Sequence, residues 1–159
     1  MGTKAEELAR KFEARAREAT EILNRLSDAE WKKVTAAEKW SVGVTAHHVA
    51  GSHEPIANMV KALATGQPIP HFTMAMLDEL NAKHAREYAN CTKAETIALH
   101  EKGAAAAAAV VRSLSDEQLS KSGTVLADRP PITTEQAITG ILINHIDEHF
   151  GSIRKTIGS

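Results

Sequence analysis

Two histidines near the C-terminus are the clearest candidates for chemistry in this chain. His145 and His149 lie four residues apart in the sequence NHIDEHFGSI. Residues at this spacing on a helix lie one turn apart on the same face. Two imidazoles placed in this way can bind one divalent metal ion. A pair of core histidines bonded to serines or to the backbone would show the same spacing, so the spacing alone does not decide between these interpretations.

The angular position of the pair favours the metal. His145 and His149 follow the same predicted stripe as the apolar residues of their segment, Ile138, Ile141, Leu142 and Ile153. The stripe predicts that both imidazoles point into the interior, where each neutral ring needs hydrogen-bonding partners. A bound metal would satisfy both rings at once.

A third ligand must come from another helix, and one segment offers His47, His48 and His53. On an ideal helical wheel His53 falls near the middle of the apolar stripe, His48 on one flank and His47 toward solvent. The wheel therefore favours His53 and predicts that His47 is solvated. Pro55 should bend the same helix, which makes the wheel unreliable. On periodicity, the choice between His48 and His53 stays open.

Apolar residues at spacings of three and four predict long amphipathic helices. The first runs from about Thr3 to Leu26, and a short capped turn follows from Ser27 to Trp31. Ser41 can cap the second helix. Thr73 to Tyr88 and a segment from Thr92 to Leu114 form two helices or one bent helix, with Thr92 and Glu95 as a capping box. The last helix begins at Thr133 or Thr134 and ends near Gly158.

The segments together predict an all-α protein, a four-helix bundle in which each helix buries its apolar stripe. No stretch shows the alternation of a strand. The length of 159 residues suits one domain spanning residues 1–159.

Composition excludes several classes of partner. The formal net charge is −1 and the isoelectric point is about 6.7, so no excess of positive charge favours nucleic acid or anionic lipid. No stretch approaches the roughly 20 apolar residues of a membrane span, and the N-terminal residues do not resemble an export signal. Cys91 is the only cysteine, which is typical of a reducing compartment. The expected location is the cytoplasm, without a membrane partner.

Two motifs resemble those of the DinB/YfiT family. The stretch WSVGVTAHHVAGSH, from Trp40 to His53, is similar to a signature in which Trp-Ser/Thr-Val precedes a helix with a metal-binding histidine eight residues after the tryptophan. That position is His48 here. His145-x-x-x-His149-Phe-Gly-Ser-Ile is similar to the closing H-x-x-x-H-x-G-x-I motif of the family. The resemblance implies a DinB-like four-helix bundle with a metal site formed by His48, His145 and His149.

The chain departs from this family at Gly43-Val44, where many relatives carry polar pairs such as Arg-Gln or Lys-Glu. Whatever those polar residues do elsewhere is missing here. The departure limits what the resemblance implies about the substrate more than what it implies about the metal ligands.

Three imidazole ligands leave coordination positions open, as in catalytic rather than structural metal sites. A divalent transition metal is expected, zinc or nickel first, although imidazoles also suit iron and copper. An open position can lower the pKa of a bound water or thiol. The resemblance implies an enzyme that works with a low-molecular-weight thiol, of the S-transferase or isomerase type, and a homodimer. The alternatives are a metal-dependent hydrolase and a non-catalytic protein that binds metal or a small ligand.

The remaining polar candidates carry weaker expectations. Glu54 and Glu148 each neighbour a candidate ligand in sequence and could act as a general base or hold a ligand by a hydrogen bond, although both could equally be solvated. His71 lies in a proline-containing loop and could line a pocket mouth. His84 and His100 are expected on the surface, and Cys91 is too isolated to be a ligand or nucleophile.

Overall fold

The structure is a computed structural model that describes residues 3–158, of which 73% are helical. The helices are α1 (Thr3–Arg25), α2 (Asp28–Lys32), α3 (Val42–Thr65), α4 (Met74–Glu87), α5 (Lys93–Arg112), α6 (Asp116–Leu119), α7 (Thr134–Ala137) and α8 (Asn144–Ile157), with a π-helix over Ile138–Ile143 that joins α7 to α8.

Four long helices, α1, α3, α5 and α8, pack around one apolar core. Their buried side chains recur at the spacings of three and four read from the sequence, for example Leu8, Phe12, Ala16 and Ala19 of α1. The predicted four-helix bundle is confirmed. Helices α3 and α5 approach closely at Gly103, where an added Cβ atom would lie 3.2 Å from the carbonyl oxygen of Ala50.

Capping residues set the helix boundaries where the sequence predicted them. The hydroxyl oxygens of Ser41, Thr92 and Thr133 accept hydrogen bonds from backbone N–H groups in the first turns of their helices. Gly158 ends α8 in the left-handed conformation with φ of 79°, which glycine adopts without a Cβ clash.

The segment between α3 and α5 does not form one bent helix with α5. Tyr88 ends α4, and a turn precedes the cap of α5 at Thr92. Helix α4 lies against α3 and has no buried residue. It is therefore a cover on one side of the bundle rather than a fifth core helix.

The longest connection among the described residues is the stretch 120–133 between α6 and α7. Strand β1 (Ser122–Gly123) pairs with the antiparallel strand β2 (Ile132–Thr133) and closes the loop between α6 and α7. A single bridge joins Val34 to Ser41 in the segment before α3. Within residues 3–158 no helix has the length and apolar character needed to cross a membrane.

The π-helix corrects the predicted wheel of the last helix. A wide π turn breaks the regular α spacing, so residues before and after it do not share one ideal wheel. The core stripe of α8 consists of Ile146, Phe150 and Ile153, whereas His145 and His149 are only partly buried on its flank. The two histidines therefore lie at the edge of the core stripe rather than in its middle.

Candidate metal centre

Three histidines from two helices meet at one end of the contact between α3 and α8. Each of His48, His145 and His149 offers one ring nitrogen, and these nitrogens lie within 4.8 Å of one another. The Nε2 atoms of His48 and His145 are 2.9 Å apart. Ring centroids in this three-histidine cluster are 4.6 to 5.0 Å apart. The structure thus brings together the three residues that the family resemblance selected.

The donor set of the cluster fits a divalent transition metal. Zinc–nitrogen bonds of roughly 2.0–2.1 Å place two ligands of a tetrahedral site about 3.3 Å apart. The separation of 2.9 Å between the Nε2 atoms of His48 and His145 is close to that value. All three ligand nitrogens lie within 4.8 Å of one another, so they could share one ion after the side chains adjust. Burial lowers the pKa of His48 to about 3 and that of His145 to about 2. Both rings are therefore neutral near pH 7, the form that binds metals.

A carboxylate that sequence analysis missed contacts the cluster. The Nδ1 atom of His149 donates to Oε2 of Glu38 at 2.6 Å, and Ser152 Oγ donates to Oε1 at 2.6 Å. The side chain of Glu38 is 7% exposed. Burial opposes its ionisation, but the hydrogen bonds from Ser152 and His149 outweigh this effect and lower its pKa. Glu38 is therefore an anion beside the cluster.

The two carboxylates proposed from sequence lie elsewhere. Glu54 and Glu148 are both exposed, and neither forms a hydrogen bond or ion pair with a cluster histidine in the described structure. Proximity in sequence was misleading because neighbouring residues on a helix point about 100° apart. Glu38 precedes α3 in a non-helical segment, where no periodicity could indicate its direction. The only available signal was its position two residues before the Trp-Ser-Val motif.

His53, the residue favoured by the helical wheel, belongs to a separate core histidine pair with His100. Its Nε2 atom lies 3.0 Å from Nδ1 of His100, and Nε2 of His100 donates to the carbonyl oxygen of Ala16 at 2.9 Å. Both residues are 1% exposed. The expectation that His100 lies on the surface is wrong, because its polar atoms find partners inside the bundle. These bonds give His53 a structural partner and leave His48 in the cluster.

His47 and His84 also differ from the sequence expectation. His47 is 7% exposed rather than solvated, and its Nδ1 atom lies 2.8 Å from Nε2 of His84 on α4. The ring of Tyr88 stacks on His47 with 4.1 Å between centroids. Helix α4 covers this face of α3, which a wheel drawn for α3 alone could not show. His71 is exposed, as expected for a loop residue.

Cys91 takes no part in the cluster. Its thiol donates to the carbonyl oxygen of Gly43 at 3.4 Å, and burial raises its pKa. A thiol with a raised pKa is a poor nucleophile near pH 7. Gly43 itself faces the indole of Trp31, where an added Cβ atom would lie 2.5 Å from ring atoms. The polar pairs of many relatives would therefore not fit at this position without movement of Trp31.

Comparisons with known proteins agree with this fold. The DinB superfamily profile matches residues 11–153, so the chain belongs to the DinB superfamily. No curated protein matches the chain at the level of sequence.

Two solved proteins share the architecture. YfiT from Bacillus subtilis, described as a probable metal-dependent hydrolase with an unusual four-helix bundle topology, aligns with a TM-score of 0.77 and 18% identity. The alignment covers 99% of this chain and 90% of YfiT. A mycothiol-dependent maleylpyruvate isomerase aligns with a TM-score of 0.75 and 16% identity over 96% of this chain. This chain spans only 63% of the length of the isomerase. At these identities the likeness shows the fold.

Proposed function

We propose that this protein is a metal-dependent enzyme that uses a low-molecular-weight thiol, of the S-transferase or isomerase type. The observation that carries the proposal is the convergence of the nitrogens of His48, His145 and His149, which supplies three protein ligands and leaves further coordination positions open. Zinc or nickel suits these ligands, although imidazole nitrogen also binds iron and copper. The ion would act as a Lewis acid that lowers the pKa of a thiol or water at an open position.

The residues of the chain have separate tasks in this proposal. His48, His145 and His149 hold the ion through ring nitrogens, and Glu38 accepts the Nδ1 hydrogen of His149. Cys91 cannot supply the thiol, because its hydrogen bond to Gly43 and its raised pKa describe a structural residue. The thiol must therefore come from a separate small molecule. Relatedness of fold to a mycothiol-dependent enzyme supports this assignment by analogy.

A metal-dependent hydrolase is the second candidate, and coverage of the relatives favours it. The fold likeness to YfiT extends over 90% of that protein, whereas part of the isomerase has no counterpart in this chain. Here the open position would serve water instead of a thiol. Glu38 is the carboxylate that contacts the cluster among the described residues, but its two oxygens accept hydrogen bonds from His149 and Ser152, so it holds a ligand rather than activating the water.

Calorimetry with several low-molecular-weight thiols tests the proposal. The metal-loaded protein should bind a thiol and release a proton, which is detected as a dependence of the heat on the ionisation enthalpy of the buffer. The metal-free protein and the variant His145→Ala should not bind it. Equal binding by all three would contradict the role of the metal. Absence of thiol binding combined with turnover of simple esters or amides would favour the hydrolase.

The chain is also proposed to work as a homodimer in the cytoplasm as one domain, with small molecules as its partners. Light scattering over a concentration series tests the dimer, and a monomer mass throughout would contradict it.

A further inference from the structure

The segment between α2 and α3 contacts the three-histidine cluster at two points. Glu38 accepts a hydrogen bond from His149 of α8. The indole of Trp40 meets the ring of His48 of α3 edge-on, with 5.3 Å between centroids and 68° between planes. One short segment outside the bundle therefore touches candidate ligands on two different helices.

Backbone hydrogen bonds close this segment into a tight loop. Val34 and Ser41 form an antiparallel bridge. The N–H of Thr35 donates to the carbonyl oxygen of Trp40 at 2.8 Å. The N–H of Lys39 donates to the carbonyl oxygen of Thr35 at 3.0 Å. The loop is thus tied to itself, so the two side chains that face the cluster move together.

The residue between these two side chains has an uncommon backbone conformation. Lys39 has φ of 62° and is the only non-glycine residue with positive φ among residues 3–158. This left-handed conformation is unfavourable for a residue with a Cβ atom, and such positions concentrate at functional sites. The turn at Lys39 allows Glu38 and Trp40 to reach the same cluster from one side.

We propose that the segment 34–41 is a positioning element of the metal site, in which Glu38 orients His149 and Trp40 orients His48. This inference rests on the proposed metal site. By accepting the Nδ1 hydrogen of His149, Glu38 leaves the lone pair on Nε2, the nitrogen free to bind an ion. The edge contact with Trp40 restricts rotation of the ring of His48.

Zinc affinity measured by competition with a chromogenic chelator tests the role of Glu38. The variant Glu38→Ala should weaken zinc binding by about 10- to 100-fold, the usual effect of removing a group that holds a metal ligand. Glu148→Gln is the matched control, since it removes an exposed carboxylate next to His149 in sequence and should bind zinc as the wild type does. If Glu38→Ala does not fold, Glu38→Leu replaces it, since leucine fills similar space without an acceptor for the Nδ1 hydrogen. Equal affinities of the Glu38 variant, the control and the wild type would overturn the proposal.

The tautomer of His149 in the metal-free protein provides a readout that does not depend on activity or on metal. Nitrogen-15 NMR of the imidazole should find the hydrogen on Nδ1 in the wild type and in Glu148→Gln, and on Nε2 in a large fraction of Glu38→Ala molecules. An unchanged tautomer in Glu38→Ala would overturn the proposal. This experiment separates it from the proposed function, because a wild-type protein that bound no zinc would contradict the function and leave the tautomer measurable.

Backbone variants at Lys39 test whether the shape of the loop matters. Lys39→Gly removes the side-chain charge but accepts a positive φ, so it should retain zinc affinity. Lys39→Ile loses the same charge and carries a β-branched side chain that resists this conformation, so it should weaken zinc binding several-fold. Equal affinity of the two variants would overturn the role of the loop geometry.

Discussion

The bundle contains two groups of buried histidines that look alike in sequence and differ in chemistry. In the core pair, His53 is hydrogen-bonded to His100, which in turn donates to the backbone oxygen of Ala16. The two imidazoles therefore form a hydrogen-bonded chain that ends at a backbone carbonyl of α1. In the three-histidine cluster, the Nε2 atoms of His48 and His145 face each other, and the buried Nδ1 atom of His145 has no hydrogen-bond partner. Histidines are structural where the fold completes their hydrogen bonds and are candidates for binding where it does not.

The largest expected effect is a contrast between variants of the two groups: loss of a cluster histidine should greatly weaken zinc binding, whereas loss of a core-pair histidine should lower stability. His48→Ala should weaken zinc binding by more than about 100-fold, because it removes a ligand rather than a supporting group. It should lower the stability of the metal-free protein less than loss of His53 does, since His48 is 8% exposed and His53 is 1% exposed. Equilibrium dialysis and urea unfolding measure the two quantities.

His53→Ala is the reciprocal variant of the same comparison. It should lower the free energy of unfolding by about 2–4 kcal/mol, because it leaves a void beside Phe12 and an unpaired nitrogen on His100. Its zinc affinity should stay close to that of the wild type. The opposite pattern, with metal binding lost in His53→Ala and kept in His48→Ala, would show that the helical wheel identified the ligand correctly.

Metal removal should lower the stability of the wild type but not that of a variant that lacks a metal ligand. A ligand at 100 times its dissociation constant stabilises the folded state by about 2.7 kcal/mol. The wild type should therefore unfold at a higher urea concentration with zinc than with a chelator. His145→Ala should show the same midpoint under both conditions. A zinc effect of equal size in the two proteins would indicate a binding site elsewhere.

Acid should destabilise the metal-free protein, in part through the core pair. Burial lowers the pKa of His53 to about 3, so the folded protein keeps this ring neutral. In the unfolded chain the histidine has its usual pKa near 6.5, so it takes up a proton below that pH while the folded protein does not. The free energy of unfolding therefore falls as the pH drops from about 6.5 to about 3. The slope is at most about 1.4 kcal/mol per pH unit for each such histidine.

Replacement of both partners of the core pair tests this origin of the acid sensitivity. The double variant His53→Leu/His100→Leu removes both rings and leaves no unpaired imidazole. Its free energy of unfolding, measured in urea between pH 7 and pH 4, should decline less steeply than that of the wild type. Parallel curves would assign the acid sensitivity to other groups.

The smallest expected effect concerns His84, which lies outside both groups. His84→Phe keeps an aromatic ring against Tyr88 and loses the hydrogen bond to His47. Thermal unfolding should report a loss of about 0.5–1.5 kcal/mol, the usual value of one hydrogen bond. Zinc affinity should change by less than about tenfold, since His84 contributes no nitrogen to the cluster and the substituted ring can keep its edge contact with His48, at 5.6 Å between centroids. A larger loss would place His84 within the metal site.

Local sequence signals were sufficient for the bundle because each helix carries its own information. The stripe from Leu8 to Leu23 and the cap at Ser41 depend on residues close together in the chain. The same locality explains the pairing of His145 with His149. Resemblance to the DinB/YfiT motifs, rather than periodicity, selected His48.

The contacts that sequence reasoning missed all join distant segments. Glu38 meets His149 across 111 positions of the chain, and His100 meets Ala16 across 84. His47 is covered by α4, whose weak apolar pattern gave no indication of where it packs. The π-helix also broke the ideal spacing on which the wheel of the last helix relied. Such features follow from how helices pack, which the pattern of a single helix does not contain.

Metal content measured on the purified protein tests the central claim most directly. Elemental analysis after exposure to zinc or nickel and removal of unbound ions should find about one equivalent per chain in the wild type, as one three-histidine site requires. The variants His48→Ala and His145→Ala should contain little, and His53→Ala should match the wild type. A wild-type protein without stoichiometric metal, or equal metal in all four proteins, would contradict the assignment of His48, His145 and His149 as the metal site.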